Sequence, residues 1–176
     1  MQRIVELDRQ LSALFIDFKT TAKELTLEEI CDLSDEKTIA LQNYPGIYRI
    51  DISTVGSSLD VTAWIEALRM EWEHKDFLRK FTPNFKKKRI AQHSQLLPWM
   101  PLYLGKSKVV GKRVLEHINL GLEKTTFALK IKARPSMANR RFLLHTMKLP
   151  VKNYDLIAPA IEGELRNHFH PLIGKQ

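Results

Sequence analysis

Apolar side chains recur at intervals of three and four along the first 24 residues, the spacing of one face of an α-helix. The members of this stripe are Ile4, Leu7, Leu11, Leu14, Phe15 and Phe18. A helix is therefore predicted over residues 3–24. Thr26 followed by Glu29 has the spacing of a capping box, which predicts a short second helix through Leu33. Residues 1–43 are interpreted as a helical N-terminal extension, either a supporting layer or a dimerisation surface, without recognisable chemistry.

Three later segments resemble β-strands, and three others have helical periodicity. The predicted strands are residues 47–52, 102–104 and 142–147. The predicted helices run from Val61 to Phe81, from Val109 to Leu120 and from Leu156 to Phe169. Residues 125–131 are ambiguous between a strand and a short helix. The whole chain, residues 1–176, is predicted to form a single α+β domain.

The charge of the chain is basic overall and unevenly distributed. The formal net charge is +8, and the isoelectric point is near 9.6. Residues 1–60 hold 6 Lys/Arg against 11 Asp/Glu, whereas residues 61–176 hold 22 against 9. A hydrophobic content of 44% argues against disorder. The basic part therefore favours a polyanionic partner such as DNA, although many basic proteins bind no nucleic acid.

Cysteine usage and hydropathy exclude several classes of protein. Cys31 is the single cysteine, so no intramolecular disulfide can form, and no Cys/His group has the spacing of zinc ligands. No apolar run reaches the roughly 20 residues that span a membrane. The N-terminus lacks the charged-then-apolar form of a signal peptide, so a cytoplasmic location is expected.

Two short motifs on the first two predicted strands carry the most information. They are Gly46-Ile47-Tyr48 and Tyr103-Leu104-Gly105. Arg113 follows Tyr103 by ten residues, and His117 follows Arg113 by four. Near the C-terminus, Glu162 precedes Pro171 by nine residues. Each motif alone arises often by chance, so the order and the intervals carry the argument.

This set of residues resembles the GIY-YIG nuclease superfamily, which cuts DNA with a divalent metal. The resemblance covers residues 44–52 and 101–176. It implies a small antiparallel three-stranded central sheet flanked by helices. The family usually joins its two motif strands by a short hairpin, so residues 53–100 are predicted to be an insertion comprising a helix and a basic loop. This chain has Leu104 where the family has isoleucine or valine, and residues 172–176 lack the family's asparagine.

The resemblance assigns a role to each motif residue. Glu162 would bind one Mg²⁺ or Mn²⁺ ion, with Glu164 as a less favoured alternative. Arg113 would bind the scissile phosphate, and His117 would bind the phosphate or transfer a proton. Tyr48 would act as a general base if its pKa were depressed, and would otherwise orient the attacking water. Two further residues complete the predicted site, Tyr103 as a lining group and Lys106 as a cation beside Tyr48 or the phosphate.

Each of these residues, taken alone, also has an ordinary structural interpretation. A helical glutamate, arginine or histidine is more often a surface or packing residue than a catalytic one. The run Lys86-Lys87-Lys88-Arg89 could be a solvated charge cluster, although phosphate contact is preferred in a DNA enzyme. Further predicted DNA contacts are Lys108, Arg140 and Arg141.

The first functional hypothesis is a stand-alone, site-recognising DNA endonuclease of the restriction type. The second is a structure-selective or nicking nuclease of a phage or mobile element. The third is a non-catalytic DNA-binding module on the same fold. Because a monomer with one site cuts one strand at a time, cleavage of both strands would suggest a homodimer, which is a possible partner for this chain.

Overall fold

The computed structural model describes residues 1–174, so Lys175 and Gln176 lie outside the described residues. These two residues belong to the segment 172–176, which lacks the asparagine of the family pattern. The described elements, in chain order, are α1 (Gln2–Ala22), β1 (Glu28–Asp32), α2 (Glu36–Ala40), β2 (Gly46–Ser53), α3 (Val61–Trp72), β3 (Asn84–Phe85), α4 (Lys87–Ile90), β4 (Trp99–Ser107), α5 (Val110–Asn119), β5 (Phe142–Lys148), α6 (Tyr154–Phe169) and β6 (Ile173–Gly174). Two 3₁₀ turns, Ile131–Ala133 and Pro135–Met137, precede β5.

The main sheet is antiparallel and has four strands in the order β1-β5-β2-β4. Strand β2 lies inside the sheet, paired with β5 on one side and β4 on the other. Its isoleucines Ile47, Ile50 and Ile52 are fully buried, as expected for an interior strand covered on both faces. Strand β4 is an edge of this sheet and tolerates Pro101, which a central strand would not.

Two apolar clusters cover the two faces of the sheet. The larger cluster packs the α3 and α5 side chains against Ile50 and Ile52 of β2. The smaller cluster packs α6 and the C-terminal end of α1 against Ile47 and Leu104. Successive side chains of a strand point to opposite faces, so β2 and β4 contribute to both clusters. A feature at the β4 edge can therefore receive side chains from both helical layers.

The predicted α+β class is confirmed, but the prediction of a three-stranded sheet was wrong. Residues 28–32, predicted as part of a short helix, form strand β1 and pair with β5. The capping-box pattern of Thr26 and Glu29 is a local preference worth little by itself, and pairing of Glu29 with His145 overrides it. The N-terminal extension is therefore not wholly helical.

The insertion differs from its prediction in two respects. Helix α3 ends at Trp72 rather than at Phe81, and the buried Arg134 side chain donates to the Trp72 carbonyl (2.8 Å) and stacks on its ring. Burial lowers the pKa of Arg134 to about 10, and this residue has a structural role rather than a surface one. The basic run is also not a loop, because β3 pairs with β6 and Lys87–Ile90 form a helical turn.

The N-terminal helix α1 confirms the predicted periodicity but leaves its apolar stripe uncovered. Ile4 is 65% exposed and Leu14 is 52% exposed. Ala22 is the only buried residue of the helix. Residues 125–130 have neither helix nor strand, which resolves the ambiguous segment as an irregular connection. No helix within residues 1–174 is both long and apolar enough to cross a membrane.

Candidate active site

The motif residues converge on one cavity at the edge strand β4. Tyr48 comes from β2, Lys106 from β4, Arg113 from α5 and Glu162 from α6, and all of them line a cavity of about 590 Å³. Tyr103, also on β4, completes the wall next to Tyr48. The cavity lies where the α5 layer and the α6 layer both reach around the edge of the sheet. The structure thus brings together side chains that lie far apart in the sequence, from Tyr48 to Glu162.

Gly105, the glycine of the second motif, lies too close to two tyrosine rings to carry a side chain. A methyl group at this position would lie 2.7 Å from the Tyr48 hydroxyl oxygen and 2.9 Å from the Tyr103 ring. Gly105 is also the β4 partner of Tyr48 across the strand pair. Because both rings are buried, a larger residue would displace the Tyr48 hydroxyl from its place in the cavity wall.

His117 holds the Tyr48 hydroxyl from behind. Its Nδ1 accepts the backbone N–H of Leu129 (2.9 Å), and its Nε2 lies 2.7 Å from the Tyr48 hydroxyl. A neutral imidazole carries one proton, so with Nδ1 accepting, Nε2 donates to Tyr48. The Tyr48 hydroxyl proton must then point elsewhere, and both the Tyr103 hydroxyl oxygen and the cavity are within its reach. His117 is fully buried with both nitrogens engaged, so the geometry disfavours its predicted contact with a phosphate.

The pKa values of the buried aromatic groups favour their neutral forms. Burial, and secondarily Arg113, hold the pKa of His117 well below its ordinary value. Burial and the neighbouring Tyr103 raise the pKa of Tyr48 well above its ordinary value, although Arg113 opposes this rise. Burial also raises the pKa of Tyr103. In the free chain Tyr48 is therefore a phenol that donates a hydrogen bond, which favours the predicted orienting role over that of a general base.

The buried neutral His117 makes stability depend on pH in a defined direction. Below about pH 6.5 the unfolded chain binds a proton at residue 117 that the folded chain does not. The contribution is complete above that pH and is lost as pH falls toward the lowered folded pKa. We expect His117→Gln to remove up to about 1.4 kcal/mol per pH unit from the slope of unfolding free energy below about pH 6.5.

Urea unfolding across this pH range measures that slope. His145 and His170 also have pKa values lowered by burial, so the wild-type slope contains their share and the variant must be compared directly. Asn167→Gln, at an exposed and non-ionisable position on α6, is the control and should leave the slope unchanged. An equal slope in wild type and His117→Gln would show that residue 117 is protonated when folded.

Arg113 is fixed at the cavity wall by two anchors. One guanidinium nitrogen donates to Glu116 (2.5 Å), and another donates to the Phe127 carbonyl. Burial alone would lower the pKa of Arg113, but Tyr48 and the Glu116 hydrogen bond outweigh it and raise the pKa. The group therefore stays charged and has a fixed orientation, which suits recognition of a phosphate at this wall.

Glu162 is the acidic member of the cavity and is held by two cations. Its Oε2 accepts from Lys106 (2.7 Å) and from Arg166 (2.9 Å), one residue on β4 and the other one turn further along α6. The Glu162 side chain is about 9% exposed, so these ion pairs compensate a carboxylate that has lost most of its water. Glu164, the alternative predicted ligand, does not line the cavity.

Sequence reasoning missed Arg166 near this carboxylate, and it predicted Arg89 only as a DNA contact in a basic loop, not as a neighbour of Glu162. Arg166 lines the cavity and lies four residues after Glu162, a spacing that places both on one helical face and that could have revealed it. Arg89 is half-buried, and burial followed by the charge of Arg166 lowers its pKa, while Glu162 opposes this. Arg89 thus lies within electrostatic reach of the site, and no local pattern in the sequence indicates this.

The predicted DNA contacts are scattered over different surroundings. Lys87 and Lys88 are exposed on α4, whereas Lys86 is half-buried and lines a second groove beside the cavity. Lys108 pairs with Asp155 (2.7 Å) at an exposed position. The predicted contacts at the start of β5 have intrachain partners: Arg140 pairs with Glu71, and Arg141 lies near Asp32 and the Trp99 ring.

Arg140 and Arg141 lie at the end of the sheet away from the cavity. Ser53, the last residue of β2, donates its backbone N–H to the Arg141 carbonyl (2.9 Å). Tyr48 is five residues back along β2, roughly 17 Å at the rise of a strand. The exposed lysines of α4 and Lys108 are therefore better candidates than these arginines for contacts close to the cavity.

The donor set at the cavity suits a weakly held Mg²⁺ or Mn²⁺ ion. Within residues 1–174, no group of three or more His, Cys, Asp or Glu side chains could hold a metal ion by itself. Mg²⁺ keeps several waters and commonly binds through one carboxylate together with substrate phosphates. Glu162 on the wall of an open cavity fits that requirement, and its ion pair with Lys106 would have to loosen as the ion binds.

No protein family, curated protein or solved structure was found to match the chain. What supports a function is accordingly the identity of the cavity residues and the way they contact one another.

Proposed function

We propose that this chain is a metal-dependent DNA endonuclease of the GIY-YIG type, which hydrolyses phosphodiester bonds. The observation that carries the proposal is the convergence of Tyr48, Lys106, Arg113 and Glu162, from four different elements, on one cavity. Lys106, Arg113 and Arg166 provide three cations around one carboxylate, so the cavity has a net positive charge before any metal binds. Such a cavity attracts a phosphodiester.

The side chains divide the work of phosphate recognition. Arg113 presents planar donors to the non-bridging oxygens of the scissile phosphate. Tyr48, with its oxygen held by His117, can direct its own proton into the cavity and orient a water or a phosphate oxygen there. Lys106 balances Glu162 in the free chain and is free to turn to the phosphate once Glu162 engages a metal. Fixed positions of this kind lower the barrier chiefly by orientation and charge stabilisation.

A Mg²⁺ or Mn²⁺ ion would be held by Glu162. The chemistry that such an ion supplies when bound is neutralisation of negative charge on the phosphate and on its leaving oxygen. Only one protein carboxylate is available in the cavity, so a bound ion would take its other ligands from water and from the DNA phosphate. We therefore expect the metal to raise the affinity of the protein for DNA, and DNA to raise its affinity for the metal.

Supercoiled plasmid incubated with and without Mg²⁺ or Mn²⁺ tests the proposal. Metal-dependent conversion to nicked or linear DNA, lost with EDTA, is the expected result. Discrete fragments would favour the site-recognising, restriction-type enzyme, and a smear would favour a structure-selective or nicking enzyme. Absence of cleavage in either metal, by protein that binds DNA, would overturn the nuclease proposal.

A second candidate function, DNA binding without catalysis, has one observation in its favour. Both cations nearest to Glu162 bind the same oxygen, Oε2, which is the arrangement of a buried ion-pair network that stabilises a wall. In that case Mg²⁺ would leave DNA affinity unchanged. The plasmid assay, combined with DNA binding measured with and without Mg²⁺, distinguishes the two functions.

The exposed lysines of α4 are expected to contribute to DNA affinity. We expect Lys87→Ala with Lys88→Ala to weaken binding and to reduce the slope of log K against log salt by up to about 0.9 for each DNA phosphate that a lysine no longer neutralises. Arg89 is left intact because it lies near Glu162 and Arg166. Fluorescence anisotropy across a salt series, with catalysis blocked by EDTA, measures the slope.

A variant that removes the same charge elsewhere controls for non-specific electrostatics. Lys19→Ala with Lys23→Ala removes two exposed lysines at the C-terminal end of α1 and should change the slope less. Equal slopes for wild type and the Lys87, Lys88 variant would show that the basic run is a solvated cluster and that DNA follows another surface.

A further inference from the structure

The exposed stripe on α1 has the repeat of a coiled coil. Ile4, Leu7, Leu11 and Leu14 alternate intervals of three and four, which are the a and d positions of a heptad. Leu7 is 48% exposed and Leu11 is 36% exposed, and Ile4 and Leu14 are more open still. Four large apolar side chains in one row along a helix form a contiguous patch, not isolated surface residues.

The remainder of the chain, as described, does not cover this row. The heptad pattern continues through Phe18. Further along, at Ala22, α1 packs into the apolar cluster that contains α6. Residues 2–14 therefore form nearly four helical turns that are exposed at every position except the half-buried Glu6. Isolated helices of this length are marginal in water and gain most of their stability from packing of an apolar face.

We propose that this row pairs with the same row of a second copy of the chain, as a short antiparallel coiled coil. A parallel partner would bring its own globular domain alongside the C-terminal end of α1, which already packs on the α6 side of this chain through Ala22. An antiparallel partner has its apolar core layers at residues 4–14, with only exposed flanking side chains beyond them, and places the two globular domains at opposite ends. Ile4 then faces Leu14 of the second copy, and Leu7 faces Leu11 of the second copy, which gives four core layers by symmetry.

The flanking charges fit this register with one exception. Arg3 and Asp17 occupy g positions and meet across the interface twice, as opposite charges. Asp8 occupies an e position next to the twofold axis and faces Asp8 of the second copy, a like-charge contact. In a parallel register, by contrast, Asp8 would face Arg3 of the second copy. Substitution of Asp8 therefore distinguishes an antiparallel pair of helices from a parallel pair.

The mass of the DNA-free protein tests the pairing directly. Sedimentation or light scattering over a dilution series should give twice the 20.5 kDa chain mass at high concentration and should fall toward the chain mass on dilution. Leu11→Glu places a carboxylate in two core layers and should weaken the dimer by on the order of 100-fold or more. Monomer at every concentration up to the millimolar range would overturn the proposal.

Ile16→Glu is the matched control. Ile16 lies on the same helix, is 64% exposed and occupies the f position, opposite the row. The Ile16→Glu variant should therefore dimerise with the same affinity as the wild type. Equal weakening by Leu11→Glu and Ile16→Glu would show that added charge, and not the heptad row, controls association. Circular dichroism at matched concentration should show reduced helix content in Leu11→Glu only, since residues 2–14 lose their partner.

Asp8→Asn determines the register. In the antiparallel pair it relieves a like-charge contact and should tighten the dimer roughly two- to five-fold, the range of an exposed charge pair. Weaker association would overturn the antiparallel arrangement. Asp17→Asn should act in the opposite sense, because it removes the partner of Arg3.

The dimer has a consequence that rests on the proposed function. Two chains bring two cavities, so wild type should convert supercoiled plasmid to the linear form, and Leu11→Glu should accumulate the nicked form. If neither protein cuts DNA, the nuclease proposal fails while the mass measurement still decides the pairing. If both cut and both are monomeric, the pairing fails while the nuclease proposal stands.

Discussion

Glu162→Gln is expected to abolish DNA cleavage while leaving DNA binding intact. The substitution keeps the shape of the side chain and removes the one carboxylate of the cavity, so the ligand proposed for Mg²⁺ is lost. The loss in rate should be at least about 10²-fold, the scale of removing one charge-stabilising group from an active site. DNA affinity measured in EDTA should be unchanged or higher, because a negative charge leaves a cavity that receives phosphate.

The fold should survive this change. Glutamine can still accept hydrogen bonds from Lys106 and Arg166, and both cations retain partial access to water. Thermal unfolding monitored alongside activity separates loss of chemistry from loss of structure. A variant with native unfolding and no cleavage supports the metal role, whereas a cleavage rate near wild type in Mg²⁺ would contradict it.

Glu164→Gln is the matched control for Glu162→Gln. It removes the same charge two residues further along α6, outside the cavity. We expect near wild-type cleavage. If Glu164→Gln alone abolished cleavage, the ligand assignment would pass to that residue. A metal titration adds a further test, since a variant that lacks the ligand should not be rescued by raising the concentration of Mn²⁺.

The sequence predicted the elements that have strong local patterns. Strand β2, with three fully buried isoleucines, and helix α6, with a regular apolar face, were placed within a few residues. Strand β1 was missed because Glu28–Asp32 lacks a strand-like apolar alternation and becomes a strand by pairing with β5. Helix α3 was predicted to be too long because its end depends on Arg134, a residue 62 positions away.

The same distinction applies to the candidate site. Spacing within α5 placed Arg113 and His117 on one helical face, which local geometry alone supports. What His117 contacts is decided by the Leu129 backbone, and its fully buried position could not be read from the helix. The ion pair of Glu162 with Lys106 joins residues 56 positions apart and depends on the β4 edge. Long-range packing thus decides which ion pairs form at the site and which tautomer His117 adopts.

Arg113→Lys is expected to lose most of the cleavage activity even though it keeps the positive charge. The arginine side chain makes two intrachain contacts at once, to Glu116 and to the Phe127 carbonyl, and faces Tyr48. Lysine has a single ammonium group and cannot span two anchors and a phosphate with one planar fork. The expected loss is about 10²-fold or more in rate, equivalent to about 2.7 kcal/mol or more of transition-state stabilisation.

Arg69→Lys is the matched control for this substitution. Arg69 forms an ion pair with Glu66 (2.6 Å) at an i,i+3 spacing on α3, as Arg113 does with Glu116 on α5, but it lies outside the cavity. Its replacement should leave cleavage unchanged and should report any general cost of exchanging a helical arginine. Unfolding curves of both variants show whether either exchange loosens the fold.

The kinetic form of the defect shows what Arg113 does. If the arginine acts on the transition state, Arg113→Lys should lower kcat while the KM for DNA changes little, because lysine still attracts the phosphate. If it only attracts DNA, lysine should restore kcat and any loss should appear in KM. Arg113→Ala, which removes both charge and fork, should lower kcat and also weaken binding. A lysine variant as active as wild type would exclude Arg113 from the reacting centre.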